Sequence, residues 1–216
     1  MTGPANIFDK PNRYIGQPSP RADASRLLQG RGKFVDDKTL PRMVHAAFLR
    51  SPHAHAKILS IETSCATAAP GIIAIYTGDD LAAHVTPYVG VLTHLAGLRS
   101  VPQHPLAVGV CRWQGEPIVM VIATSRALAE DACELIEIDY EDMPAAVDTE
   151  KALDADAPLI HPELGNNLCW DREVLAGDVD KAFSANGVEI VEREFRFGRH
   201  TGVTLETRGT LCDYNP

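Results

Sequence analysis

The sequence predicts a mixed α/β fold of the α+β kind, and three patterns predict it. A strand–helix–strand succession covers 117–140, compact apolar runs at 43–49 and 72–76 have the length of buried strands, and an alternating run lies at 56–61. In chain order, the first forty residues are rich in Pro, Gly and Arg, with Gly16-Gln17-Pro18-Ser19-Pro20 and Gly30-Arg31-Gly32 breaking any period. They read as an extended arm, taken as residues 1–25 proper, that needs a partner surface to stay ordered.

The run 43–49 ends at Arg50-Ser51-Pro52, and 56–61 places Ile58 and Ile61 near one face. A short alanine-rich helix over 64–69 stops at Pro70-Gly71; the strand 72–76 follows, and Gly78-Asp79-Asp80 starts another helix. Residues 84–112 hold three histidines without periodicity and read as a long loop. Pro117–Ala123 is a continuous apolar strand, Thr124-Ser125 an N-cap, and 126–135 a helix whose Ala127, Ala129, Ala132 and Leu135 pack. A strand over 136–140 alternates through Ile136, Ile138 and Tyr140. After Met143-Pro144 the sequence turns Asp-, Ala- and Pro-rich, which marks a boundary. Beyond it, 188–197 alternates as a strand with one wet face, and 209–214 resembles another. A sheet edge left open at Pro216 implies that the polypeptide continues, as a longer chain or a separate subunit.

Twenty Lys and Arg against 29 Asp and Glu give a net charge of −9, so the long-range field repels phosphate backbones and disfavours nucleic acid. No apolar run approaches the ~18–20 residues of a membrane span, and the first residues lack a secretory pattern, so cytoplasmic residence is expected. Cys65, Cys111, Cys133, Cys169 and Cys212 are widely spaced, unlike iron–sulfur or zinc ligands, and read as buried apolar thiols.

Each candidate site has an ordinary reading beside it. His53 and His55 stand two apart, the spacing of a metal pair on a strand, but no carboxylate or third histidine lies nearby in sequence, so a structural role is expected. Arg21, Asp23, Arg26, Arg31, Asp36 and Asp37 alternate in sign and read as solvated pairs or partner contacts. Gly30-Arg31-Gly32 lacks the preceding strand of a phosphate loop, and Gly115-Glu116-Pro117 reads as a turn that fixes chain direction. Glu206, beside Leu205 and Arg208, suggests a buried ion pair, and His200 is a nearby pocket candidate. No Gly-x-Ser-x-Gly elbow, His-Glu-x-x-His or lysine-bearing phosphate loop is present. No catalytic, cofactor-binding or metal-ligating residue is therefore assigned.

Several motifs occur in an order that resembles the large subunits of molybdenum-containing hydroxylases, the xanthine dehydrogenase and aldehyde oxidase family that also includes aerobic carbon monoxide dehydrogenase. They are Pro20-Arg21-x-Asp23-x-x-Arg26-Leu27-Leu28-x-Gly30-x-Gly32 with Phe34-Val35-Asp36-Asp37, and Leu40-Pro41 leading to His45-Ala46-Ala47-Phe48-Leu49-Arg50-Ser51-Pro52-His53-Ala54-His55-Ala56. Pro70-Gly71, Gly115-Glu116-Pro117 and Ile136-Glu137-Ile138-Asp139-Tyr140 follow. The resemblance implies an α/β hammerhead domain at 26–147. It also implies that 148–216, with Gly177-Asp178-x-Asp180-x-Ala182-Phe183 and Leu205-Glu206-x-Arg208-Gly209, is a linker and the first strands of a molybdopterin-binding domain.

Implied with it are hydroxylation of an N-heterocycle or aldehyde with water as oxygen source, or oxidation of carbon monoxide. The molybdenum cofactor would be held by the remainder of the subunit, and iron–sulfur clusters and FAD by partner domains or subunits. The family's catalytic glutamate and cofactor loops lie downstream of the residues matched, so the expected role is an inactive scaffold portion. The alternatives are a naturally split, non-catalytic subunit or assembly module that completes a partner's active site, and a free-standing metal binder using His53 and His55.

Overall fold

The computed structural model describes residues 21–90, 92 and 94–215; the first twenty residues of the expected arm lie outside that range. The fold divides into two units, one formed by residues up to Pro41 with Glu194–Pro216, the other by Arg42–Arg193.

The larger unit holds two three-stranded sheets with every strand pair antiparallel. Strands β1 (His45–Arg50), β3 (Ile72–Thr77) and β5 (Pro117–Ala123) form one sheet in the order β1-β5-β3. Strands β2 (Ala56–Glu62), β4 (Val110–Cys111) and β6 (Glu137–Asp142) form the other, ordered β4-β2-β6. The mixed fold is as expected. The strand–helix–strand stretch does not close within one sheet, however: β5 and β6 belong to different sheets, and the helix between them carries the chain across the core.

That helix, α4 (Arg126–Cys133), starts where the Ser125 hydroxyl accepts the Leu128 amide at 3.3 Å, and an Arg126–Glu130 pair at 3.0 Å spans one exposed turn. Its buried stripe is Ala129 and Ala132, flanked by Leu128 and Cys133. Because the helix ends at Cys133, Leu135 turns outward to 45% exposure, and Ala127 also faces solvent, against the sequence expectation. Ala129 and Ala132 pack on Val119, Val121 and Ala123 of β5, with Ile58, Ile61, Ile138 and Tyr140 completing the core from the second sheet and Ile136 from the residue before β6. The run at 43–49 proves to be an edge strand with alternate side chains exposed rather than a buried one.

Two glycines let elements approach closely. Gly71 has φ +78°, and a Cβ there would lie 2.6 Å from Leu128 Cδ1. Gly78 opens α3 (Gly78–Ala82), where a Cβ would stand 2.1 Å from the Ala107 carbonyl oxygen. The same helix is closed by Thr77, whose amide donates to Asp80 Oδ2 at 2.8 Å while its hydroxyl accepts the Asp80 amide at 3.4 Å. The Thr77 amide and hydroxyl hold the Asp80 carboxyl below its ordinary range. A depressed folded-state pKa means stability that is present above the unfolded carboxylate range and lost as pH falls through the folded value. Asp80→Ala is expected to cost about 0.5–1 kcal/mol at neutral pH, in line with an exposed cap. The difference from wild type should shrink below roughly pH 4 when unfolding is followed in urea.

Helix α2 (Ser64–Thr67) is shorter than expected, stopping at Ala68 before Pro70. The loop 84–112 carries little regular structure beyond β4 and a Tyr88–Gln103 bridge, but it is pinned. The Arg99 guanidinium donates to the Leu164 carbonyl at 2.9 Å, to the Leu168 carbonyl and to Asn166, and Trp170 Nε1 donates to the Ala96 carbonyl at 3.2 Å. The Asp-, Ala- and Pro-rich stretch is thereby held by side-chain capping of its carbonyls.

Helix α5 (Val179–Ser184), capped by Asp178, was not legible in the periodicity. The strands expected at 188–197 and 209–214 are absent: every described residue from 171 onward is exposed, and no neighbouring strand supplies a ladder. Nor is the described part of the first forty residues wholly extended, since α1 (Ala24–Leu28) and a turn at Val35–Asp37 lie within it. In this unit the Val35 amide donates to Glu206 Oε1 at 3.3 Å.

Candidate functional site

The residues of the longest motif meet at one junction of the larger unit, where the β1–β2 connection, the turn before β5 and the end of β6 converge. The buried Ser51 donates its amide to the Glu116 carbonyl and accepts the Gly115 amide on its own, both at 2.8 Å. Its hydroxyl accepts the His53 amide at 3.1 Å and donates to the His53 carbonyl at 2.9 Å. Arg50 donates to the Gly115 carbonyl at 2.9 Å, and Glu116 Oε2 accepts the Arg112 amide at 2.6 Å. Gly115-Glu116-Pro117 is therefore the direction-fixing turn that the sequence suggested.

The two histidines of the motif have different partners. His53 Nδ1 lies 2.7 Å from Asp142 Oδ1, and its ring is 4.5 Å from that of Tyr140, tilted by 46°. His55, buried to 4% exposure, places Nδ1 2.7 Å from the Pro144 carbonyl, which fixes that nitrogen as a donor. The connection is not a strand, so the spacing of two does not set the rings side by side as the metal-pair geometry required. Among the described residues no group of three or more His, Cys, Asp or Glu is arranged to hold a metal.

The junction is chemically quiet. Burial, with a further contribution from Cys111, pushes the Tyr140 hydroxyl up to about 12. Burial likewise raises the Cys111 and Cys133 thiols, which keeps them protonated and unreactive. His53 with Asp142 resembles an oriented base, but the nearby Ser51 hydroxyl is bonded to the His53 backbone, so no nucleophile faces the ring. With Asp142 80% exposed, the pair is a surface contact worth at most about 1 kcal/mol.

The remaining candidates are dispersed. Arg21 and Asp23 form a solvated two-point pair, Nε to Oδ1 at 2.6 Å. Hydrogen bonding from Arg21 lowers the Asp23 carboxyl. Asp37 caps its own turn through the Phe34 amide at 2.9 Å. Gly30, at φ +67°, ends α1 with the Arg31 amide donating to the Arg26 carbonyl, a helix stop rather than a phosphate loop. Glu206 is exposed beside a fully exposed Leu205, which corrects the expected buried ion pair, and among the described residues His200 bonds to the Gly198 carbonyl, at 3.2 Å. Of the cysteines, Cys111 is buried and Cys133 half-buried, but Cys65, Cys169 and Cys212 are exposed, contrary to the expectation for all five.

A shallow depression of about 260 Å³ between the sheets is lined by Ile58, Ser60, Thr77, Gly78, Asp79 and Ala107, among others. Its charged lining residue is a carboxylate, and the neighbouring α3 N-terminus is already filled by the Thr77–Asp80 box. A phosphate-bearing pterin calls for cationic side chains or open helix amides. The lining of this depression does not fit that cofactor. The sequence reading passed over Ser51 and Arg99, the two residues that organise the turns through backbone carbonyls and amides.

Comparison with known proteins places these features in a family. A family model described as "Aldehyde oxidase and xanthine dehydrogenase, a/b hammerhead domain" matches residues 29–144. The nicotine 6-hydroxylase large subunit of Paenarthrobacter nicotinovorans is 38% identical over 215 residues, covering 96% of this chain and 26% of that protein. The xanthine dehydrogenase molybdenum-binding subunit of Escherichia coli O157:H7 is 30% identical over 171 residues, 79% of this chain and 22% of that one. Among solved structures, quinoline 2-oxidoreductase from Pseudomonas putida 86 superposes with a TM-score of 0.60 at 42% identity, over 66% of this chain and 18% of its own. The chain thus spans about a quarter of the length of the curated relatives it matches. With its two antiparallel sheets bridged by α4 and the motif junction at Ser51–His55, the chain belongs to the aldehyde oxidase and xanthine dehydrogenase family, whose hammerhead domain it carries.

Proposed function

We propose that this chain is the N-terminal portion of the molybdenum-cofactor subunit of a hydroxylating oxidoreductase, and that this portion supplies packing surface without a reacting group. One observation carries the reading: the family's hammerhead region is present, while the motif junction is hydrogen-bonded into its own turns and offers neither nucleophile nor metal cluster among the described residues. In this reading residues 1–25 are an arm, 26–147 the hammerhead domain, and 148–216 the linker and opening of the cofactor-binding domain. The molybdenum cofactor sits on the rest of the subunit, and iron–sulfur and flavin groups sit on partner domains or subunits in the cytoplasm. An N-heterocycle is the favoured substrate class, because nicotine 6-hydroxylase and quinoline 2-oxidoreductase are among the similar proteins.

The test is purification of the longer subunit bearing this stretch together with its co-purifying chains. Molybdenum, iron and flavin in that assembly, with oxidation of an N-heterocycle and label from water in the product, is the expected result. A folded assembly free of molybdenum would overturn the reading.

A further inference from the structure

The sheet β1-β5-β3 has two apolar faces; one meets the core along its length, and the other meets it only at Ile118, near the start of β5. Val119, Val121 and Ala123 on β5, Ala47 and Leu49 on β1, and Ile75 on β3 belong to the core cluster. Successive residues of a strand point to opposite faces, so the alternate positions form the other face. The register aligns Phe48 with Met120 and Tyr76 in one row, and Ala46 with Ile122 and Ala74 in the next. None of these six belongs to the core cluster, and Phe48 is 44% exposed. No charge lies within the two rows; Arg50 stands at the rim, its guanidinium 5.8 Å from the Phe48 ring. A strand apolar on both faces is the pattern of a sheet covered on both sides.

We propose that this outer face is the surface on which the remainder of the large subunit packs, an inference that rests on the function proposed above. Two observations select that occupant. The curated relatives extend over roughly four times the span matched here, so most of such a polypeptide lies outside these residues. A second copy is disfavoured, because each chain carries a net charge of −9 and two copies repel one another. An uncharged apolar sheet face is suited to a permanent contact rather than a transient one.

Hydroxyl-radical footprinting read by mass spectrometry tests this on the unmodified protein. Phe48, which is exposed, and the half-buried Tyr76 and Met120 should oxidise in the 216-residue chain and several-fold more slowly in the full-length subunit. Equal oxidation in both states would overturn the proposal, and so would protection in the short chain that grows with its concentration, which would assign the face to a second copy. Phe48→Asp should leave the circular dichroism of the short chain unchanged and reduce the yield of folded full-length subunit; an unchanged yield would contradict the proposal. The molybdenum content of the same subunit separates the two failures: metal present without protection sinks only this inference, and metal absent sinks the functional reading.

Discussion

Ile118→Ala is expected to remove about 2–5 kcal/mol of stability from the larger unit, a cost typical of truncating a buried isoleucine where the surroundings relax only partly. Ile118 is fully buried on the central strand of its sheet, among Cys111, Val119 and Ile136 in one continuous core. Against the roughly 5–15 kcal/mol available to a domain, this is a large fraction. Urea unfolding followed by tryptophan fluorescence should show a lower midpoint with an unchanged slope. A midpoint within error of wild type would mean that β5 is not the centre of the core.

Gly78→Ala should cost at least about 3 kcal/mol, the upper end of ordinary overpacking, although alanine is the better helix former. The added methyl would stand 2.1 Å from the Ala107 carbonyl oxygen and 2.8 Å from its carbon. Backbone atoms cannot rotate aside as a side chain does, and Ala107 is itself tied by its amide to the Pro117 carbonyl at 2.8 Å. The same chemical change at Gly198, where nothing lies within 4 Å, should be close to neutral. Comparing the two variants in one denaturant series separates the contact from the general effect of losing a glycine.

What the sequence revealed follows from where the physics is local. β5 was readable to the residue because seven consecutive apolar positions admit one interpretation, and the Ser125 cap and the alternation of Ile138 and Tyr140 are equally local signals. The assignment of β5 and β6 to different sheets was not readable, since period and length describe an element and not its neighbour. The segments 188–197 and 209–214 carry a strand's alternation, yet alternation becomes a strand only beside a ladder partner.

At the site, the motif Arg50-Ser51-Pro52-His53-Ala54-His55 identified the family before its role was visible. Its residues act through backbone amides and carbonyls, Ser51 with Glu116 and His55 with Pro144, which side-chain identity does not announce. The metal-pair reading of His53 and His55 assumed a strand, and a tight connection took its place. Arg99 and Asn167, which hold 152–168 through carbonyl contacts, were invisible for the same reason.

The claim that this stretch packs and does not react is tested most directly by producing the 216-residue chain in a host that makes the molybdenum cofactor, desalting it, and measuring molybdenum and pterin per chain. Neither should exceed background, and no oxidation of an N-heterocycle or aldehyde should be measurable. One molybdenum retained per folded chain, with turnover abolished by substituting a residue among these 216, would contradict it.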